Sequence, residues 1–165
     1  MFSSFLVLVF VCLSTCSALP GNRHRRSLGQ MSDMIMCTTG RSAFYEYNGY
    51  GCYCGFGGSG DPIDNTDRCC KRHDRCYEKT DSSEGGPCYR LMPYATNYRY
   101  NTRNCQSVTP EVECASASAY SSWYEWLYRD CAIAICKCDR QLALCFASAS
   151  NSYNPSHVRH DKSQC

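Results

Sequence analysis

The chain has 165 residues, 16 of them cysteine, and a formal charge of +2. A cysteine content near one in ten is that of a disulfide scaffold and excludes a reducing compartment. The length suits one domain, and the near-neutral balance lacks the basic footprint of a nucleic-acid binder.

Residues 2–16 form an apolar run broken only by serines and a threonine. The run is too short to span a bilayer comfortably, and small residues follow at Cys16-Ser17-Ala18. Residues 1–18 therefore read as a secretory signal peptide. Residues 19–26 end in Arg23-His24-Arg25-Arg26, a multibasic stretch suited to a processing protease, so they read as a propeptide. The working domain is then residues 27–165, beginning at Ser27. Cys12 and Cys16 leave with the signal, and fourteen cysteines, an even number, remain. Losing three arginines from the 17 basic residues leaves 14 against 15 acidic ones, a net charge near −1. Thirteen tyrosines point to many half-buried rings with a polar end in water. The expected location is extracellular, and the Asn-x-Ser/Thr signal for N-glycosylation is absent.

Along residues 27–37, Leu28, Met31, Met34 and Ile35 recur at helical spacing and predict a short amphipathic helix. Residues 50–62 are too rich in glycine for a helix. A second helix is expected over 64–79, with Asp64 as N-cap and Asp67 at its third position. Residues 88–100 read as irregular, after Gly85-Gly86-Pro87. Residues 98–114 alternate weakly around Thr102-Arg103-Asn104 and fit a two-stranded hairpin. Residues 123–146 carry Trp126, Leu127, Ile133, Ile135, Leu142 and Phe146 and predict one long buried helix. The polar tail beyond them holds Pro155 and needs Cys165 to tie it down.

Two adjacent pieces carry chemistry. In Tyr50-Gly51-Cys52-Tyr53-Cys54-Gly55-Phe56-Gly57-Gly58-Ser59-Gly60, the glycines let backbone carbonyls turn toward one point. Carbonyl oxygens are hard ligands that suit calcium, and they need a carboxylate beside them, for which Asp74 is the candidate. An EF-hand is the rival, but Asp61, Asp64 and Asp67 stand three apart, and no Gly-Lys-Ser/Thr follows to make a phosphate loop. Zinc fits badly, because Cys52-x-Cys54 and Cys136-x-Cys138 are too closely spaced. The second piece is Cys69-Cys70-Lys71-Arg72-His73-Asp74-Arg75-Cys76-Tyr77. On a helix its cysteines would lock the backbone that carries His73, and a neutral imidazole is a natural base for water.

These two pieces together resemble the secreted phospholipase A2 family: Tyr-Gly-Cys-Tyr-Cys-Gly-x-Gly-Gly-x-Gly, then Asp-x-Cys-Cys-x-x-His-Asp-x-Cys-Tyr. Ser27-Leu28-x-Gln30, Met34-Ile35-x-Cys37, Pro93-Tyr94-x-x-Asn97-Tyr98 and Cys136-x-Cys138-Asp139-Arg140 extend the likeness over nearly all of residues 27–165. Cys37, Cys105 and a terminal Cys165 point to its pancreatic and elapid-venom type, group I. The resemblance implies a mainly α fold: two long antiparallel disulfide-linked helices, a short N-terminal helix, a calcium-binding loop and a small two-stranded β-wing. It implies calcium-dependent hydrolysis of the sn-2 ester of glycerophospholipids, with a membrane or micelle surface as partner and a monomeric chain. His73 would be the general base and Asp139 would hold its far nitrogen. Tyr77 and Tyr98 would hydrogen-bond Asp139. One calcium ion would be held by the carbonyls of Tyr53, Gly55 and Gly57 and by Asp74, and the Gly55 amide would face the oxyanion. The freed Ser27 amino group would anchor the first helix.

The implied bridges are Cys37–Cys105, Cys52–Cys165, Cys54–Cys70, Cys69–Cys145, Cys76–Cys138, Cys88–Cys131 and Cys114–Cys136. Two of them can be checked by spacing. From Cys69 to Cys76 is seven residues forward and from Cys145 to Cys138 seven back, close to two helical turns each way. Two antiparallel helices stapled twice would bring Asp139 beside the turn of His73. Leu28, Met31, Phe56 and Tyr94 are the candidate lipid-facing rim; Met31 stands where the family commonly has an aromatic.

The chain departs from the family between Cys114 and Cys131, where 16 residues replace far fewer and include Trp123-Tyr124-x-Trp126-Leu127-Tyr128. This insert, residues 115–130, reads either as an added membrane or partner contact or as an extended helix packed on its own body. The enzyme reading, in digestion or in a venom, has two rivals: a non-catalytic relative acting as toxin subunit, receptor ligand or matrix protein, and a disulfide-rich binding module. Inactive relatives typically lose the histidine or the calcium aspartate, and both are present here.

Overall fold

The computed structural model describes residues 27–165; the signal and propeptide expectations lie outside the described residues. Helix α1 spans Ser27–Thr39, two residues longer than its apolar spacing predicts, and buries Met34 and Ile35 completely. Its C-terminal turn is bonded to the last long helix through Thr38 Oγ1, which donates to Ala143 O at 2.9 Å. Helix α2 covers Asn65–Thr80 and starts as expected: the Asp64 side chain accepts from Asp67 N at 2.8 Å. Within the stretch expected to be irregular, Met92–Ala95 forms one turn, α3, with Pro93 in its first turn. Strands β1 (Tyr100–Arg103) and β2 (Glu111–Cys114) pair antiparallel in a register that sets Tyr100 opposite Cys114 and Arg103 opposite Glu111.

The single helix expected over 123–146 is not found. It is two helices, α4 (Trp123–Trp126) and α5 (Arg129–Ser148). Helix α4 is capped at its start and tightens at its end. Glu125 folds back onto the Ser122 amide at 3.2 Å and closes a capping box, and Leu127 N and Tyr128 N reach only three residues back. Tyr128 then leaves helical geometry at φ −121°, ψ 2°, and its carbonyl accepts the first bond of α5 from Ala132 N. The apolar periodicity runs through this break without marking it.

Helices α2 and α5 run antiparallel and are joined at Cys69–Cys145 and Cys76–Cys138, with Cα separations of 5.8 and 5.7 Å. The other bridges present are Cys37–Cys105, Cys52–Cys165, Cys54–Cys70, Cys88–Cys131 and Cys114–Cys136. The core fills the space among α1, α2 and α5 with Met34, Ile35, Tyr50, Ile135 and Phe146, and Tyr47 stacks on Phe146 at 4.0 Å between centroids. The architecture is thus mainly helical, with a two-stranded wing and a short N-terminal helix. Among the described residues no helix is long and apolar enough to cross a membrane.

Closing a longer loop removes more freedom from the unfolded chain. Replacing Cys76 and Cys138 together by alanine opens a 62-residue separation. The expected loss in denaturant unfolding is about 4 kcal/mol. Opening Cys54–Cys70, which spans 16 residues, should cost about 3 kcal/mol by the same measure.

Candidate active site

The twice-stapled helices present His73 and Asp139 to each other. His73 Nε2 lies 2.7 Å from Asp139 Oδ1, across 66 residues of sequence. Asp139 is fully buried, and burying a carboxylate is costly unless donors meet it. Two phenols do so. Tyr77, on α2, donates to Oδ1 at 2.8 Å, and Tyr98, just before β1, donates to Oδ2 at 2.6 Å. Burial, reinforced by the carboxylate beside them, pushes both phenols far above the usual tyrosine range, so both remain donors. With three donors needed to satisfy Asp139, the proton on the His73–Asp139 contact belongs to Nε2. The ring's other nitrogen, Nδ1, is left as an acceptor. The His73 side chain is 12% exposed, enough for a small molecule to reach its edge.

Tyr98 is itself held from α1. Gln30 Nε2 donates to Tyr98 O at 2.5 Å and Tyr98 N donates to Gln30 Oε1 at 3.0 Å. The motif reading quoted Gln30 only as part of the first helix. Its work in the structure is to clamp the peptide of a phenol that supports Asp139.

The glycine-rich segment lies against the start of α2, and the contact depends on Asp67. This fully buried carboxylate accepts from Cys52 N at 2.8 Å, Tyr53 N at 2.8 Å and Ile63 N at 3.1 Å. Gly51, at φ +55°, makes room for it: a Cβ there would come within 2.4 Å of the Asp67 carboxyl carbon. Sequence reasoning placed Asp67 as a helix-start residue and missed this second role. Gly55 and Gly57 both take positive φ, +102° and +71°, a region open to glycine, and so turn the chain where their carbonyls are needed.

An ammonium already sits on this loop. Lys162 Nζ donates to Phe56 O at 3.1 Å and to Gly57 O at 3.0 Å. The tail that carries it is tethered by Cys52–Cys165. On the facing helix, burial pushes the Asp74 carboxyl up to about 6, with His73 opposing the shift. The partly desolvated Asp74 carboxyl and the Gly57 carbonyl, which already meets a cation, are hard oxygens, and with the neighbouring carbonyls of Tyr53 and Gly55 they could hold a calcium ion. A second grouping, Cys52, His160 and Cys165, brings possible ligand atoms together. Its two sulfurs are joined in a disulfide and offer no thiolate to a metal.

A cavity of about 380 Å³ adjoins His73 and runs beside Arg72, Gln141, Leu142 and Leu144. A larger one, about 630 Å³, lies between α2 and α3; it is lined by Tyr77 and Tyr94 and not by His73 itself. Of the expected lipid-facing rim, Leu28, Phe56 and Tyr94 are exposed, Phe56 almost completely. Met31 is partly buried against the core.

The family model for phospholipase A2 matches residues 28–158. A phospholipase A2 of Acanthaster planci is 38% identical over 164 residues, covering 98% of this chain and 99% of its own. A phospholipase A2 of Bos taurus is 36% identical, covering 96% and 99%. Acidic phospholipase A2 PL-I of Walterinnesia aegyptia is 37% identical, covering 92% and 95%.

Removing either phenol leaves the buried Asp139 short of a donor. Tyr77→Phe and Tyr98→Phe are each expected to lower unfolding free energy by about 1–3 kcal/mol. Because both phenols serve one carboxylate, the double variant should deviate from additivity in a urea-unfolding cycle.

Proposed function

The chain belongs to the phospholipase A2 family and is a phospholipase A2, an enzyme of phospholipid hydrolysis, and from that premise we propose a calcium-dependent attack on the sn-2 ester of glycerophospholipids. The products are a fatty acid and a lysophospholipid. The observation that carries the reading is the His73–Asp139 contact, buried on the aspartate side and closed by two phenols, next to a loop that attracts cations.

His73 takes a proton from water at Nδ1, and the water oxygen bonds to the ester carbonyl carbon. Asp139 fixes the imidazole by accepting from Nε2, so the ring cannot turn its basic nitrogen away. The ester C–O bond then breaks, and the proton held on His73 passes to the departing lysophospholipid oxygen. Tyr53, Gly55 and Gly57 through their carbonyls and Asp74 through its carboxylate would hold one calcium ion. When bound, calcium supplies Lewis-acid stabilisation of the oxyanion. The Gly55 amide is the second oxyanion donor.

The disulfide framework suits an extracellular enzyme, and the substrate presents itself as a membrane or micelle surface. Release of a propeptide before Ser27 fits the burial at that end. Ser27 is fully buried one turn before Gln30, and the buried Asn97 Oδ1, next to the Gln30-bound Tyr98, has no hydrogen-bond partner among the described residues. A freed amino group would bring a donor to this region.

Fatty-acid release from phosphatidylcholine vesicles should require calcium and stop with chelator; release unaffected by chelator would contradict the calcium role. His73→Gln is expected to lower turnover about a hundred- to ten-thousand-fold, with calcium binding by calorimetry retained. Lys162 places a positive charge on a proposed ligand, so Lys162→Met is expected to tighten calcium binding about fivefold through relief of repulsion.

Asp74 should mark itself in stability. A carboxyl raised from 3.8 to about 6 makes the ionised form a cost to the calcium-free fold. That cost is full above about 6 and fades as pH falls toward 3.8. Asp74→Asn should therefore raise the calcium-free melting temperature at neutral pH, lose that gain in acid, and abolish calcium binding.

A further inference from the structure

Of the insert's aromatic side chains, Tyr120 is buried in the core and Tyr128 packs against it, but those of α4 stay at the surface. Trp123 is 80% exposed, Trp126 63% and Leu127 68%, with Tyr124 half exposed. Within α4 only Glu125 turns inward, and it is buried. Its carboxylate accepts from the Ser122 hydroxyl and amide and from Arg99 Nη2, each contact between 2.5 and 3.2 Å. The turn is thus locked by a polar anchor from below while its apolar side faces water. Exposed large apolar side chains gathered in one place mark an interaction surface.

From this geometry we propose that the turn at residues 122–128 is a membrane anchor that sinks into the headgroup boundary of zwitterionic phospholipid beside the active site. The inference rests on the phospholipase reading, which supplies a lipid surface as the place of work. Three features favour lipid as the occupant. Tryptophan and tyrosine have an apolar body and a polar tip, the combination that settles at a membrane interface. The charge of residues 27–165 is near −1, so attraction to anionic lipid contributes little and insertion must carry the binding. The patch is also joined to the catalytic centre. Arg99, which grips Glu125, follows Tyr98, which donates to Asp139.

A second connection runs through Cys88–Cys131, with Cα atoms 4.8 Å apart. Cys131 lies four residues after Leu127, and Cys88 precedes the exposed Tyr89 and Leu91. Tyr94, in the next turn, packs edge-on against Tyr77, the other phenol on Asp139. Exposed apolar side chains therefore flank one disulfide from both sides and lead back to the site.

Trp123 and Trp126 are the chain's two tryptophans, so intrinsic fluorescence reads the patch directly. With vesicles of non-hydrolysable diether phosphatidylcholine, emission should shift to the blue and be quenched by brominated lipid. The Trp123→Ala/Trp126→Ala variant should lose at least about tenfold in vesicle hydrolysis, while its turnover of a monomeric short-chain phosphatidylcholine stays at the wild-type level. Circular dichroism checks that the variant is folded. Unshifted fluorescence, equal losses on both substrates, or a shift driven by protein concentration without vesicles would overturn the anchor; the last would indicate a second copy on the patch. Wild type that hydrolyses neither substrate would sink the hydrolase reading instead, with the fluorescence arm still deciding the anchor.

Discussion

Asp139 carries a carboxylate into the middle of the protein, and the structure is arranged to make that tolerable. Its three donors come from two places: His73 and Tyr77 from α2, and Tyr98 from the approach to the wing. His73 and Tyr77 reach Asp139 because α2 and α5 are held in fixed register, which the two bridges at Cys69–Cys145 and Cys76–Cys138 secure. The same network holds the fold and orients the proposed base, His73. A buried charge that loses one donor is penalised strongly, so this part of the core has little freedom to drift.

The loop solves a related problem. Backbone carbonyls repel one another when turned to a common point, and something must hold the chain there before a metal arrives. Asp67 does this from one side by gathering three amides. Lys162 does it from the other by placing an ammonium on two carbonyls. One clamp is negative and grips N–H groups; the other is positive and grips C=O groups. The second sits on a carbonyl, that of Gly57, proposed above as a calcium ligand, and would compete with the ion.

Much of this was legible in the sequence where the determinants are local. Leu28, Met31, Met34 and Ile35 announce α1 by spacing, and Asp64 and Asp67 announce the start of α2. The wing follows from weak alternation around Thr102-Arg103-Asn104. The two long helices were placed in antiparallel register only because a family resemblance supplied the cysteine pairs. Spacing could check the pairs but could not choose them. The break between α4 and α5 was not legible, because Trp126, Leu127 and Ile133 continue the apolar pattern across it while the backbone tightens at Leu127 and leaves helical geometry at Tyr128. Lys162 was invisible for a different reason. Its contact is 105 residues away in the chain and exists only because Cys165 is tied to Cys52. Asp67 was half seen: its capping position was local, but its grip on Cys52 and Tyr53 was not.

The central claim is that the Asp139 network fixes which nitrogen of His73 is free to act as base. Nitrogen-15 NMR of histidine-labelled protein, held well above neutral pH in calcium, measures this directly. The account predicts a neutral His73 ring protonated at Nε2 and bare at Nδ1. A ring protonated at Nδ1, or one exchanging freely between the two forms, would contradict it.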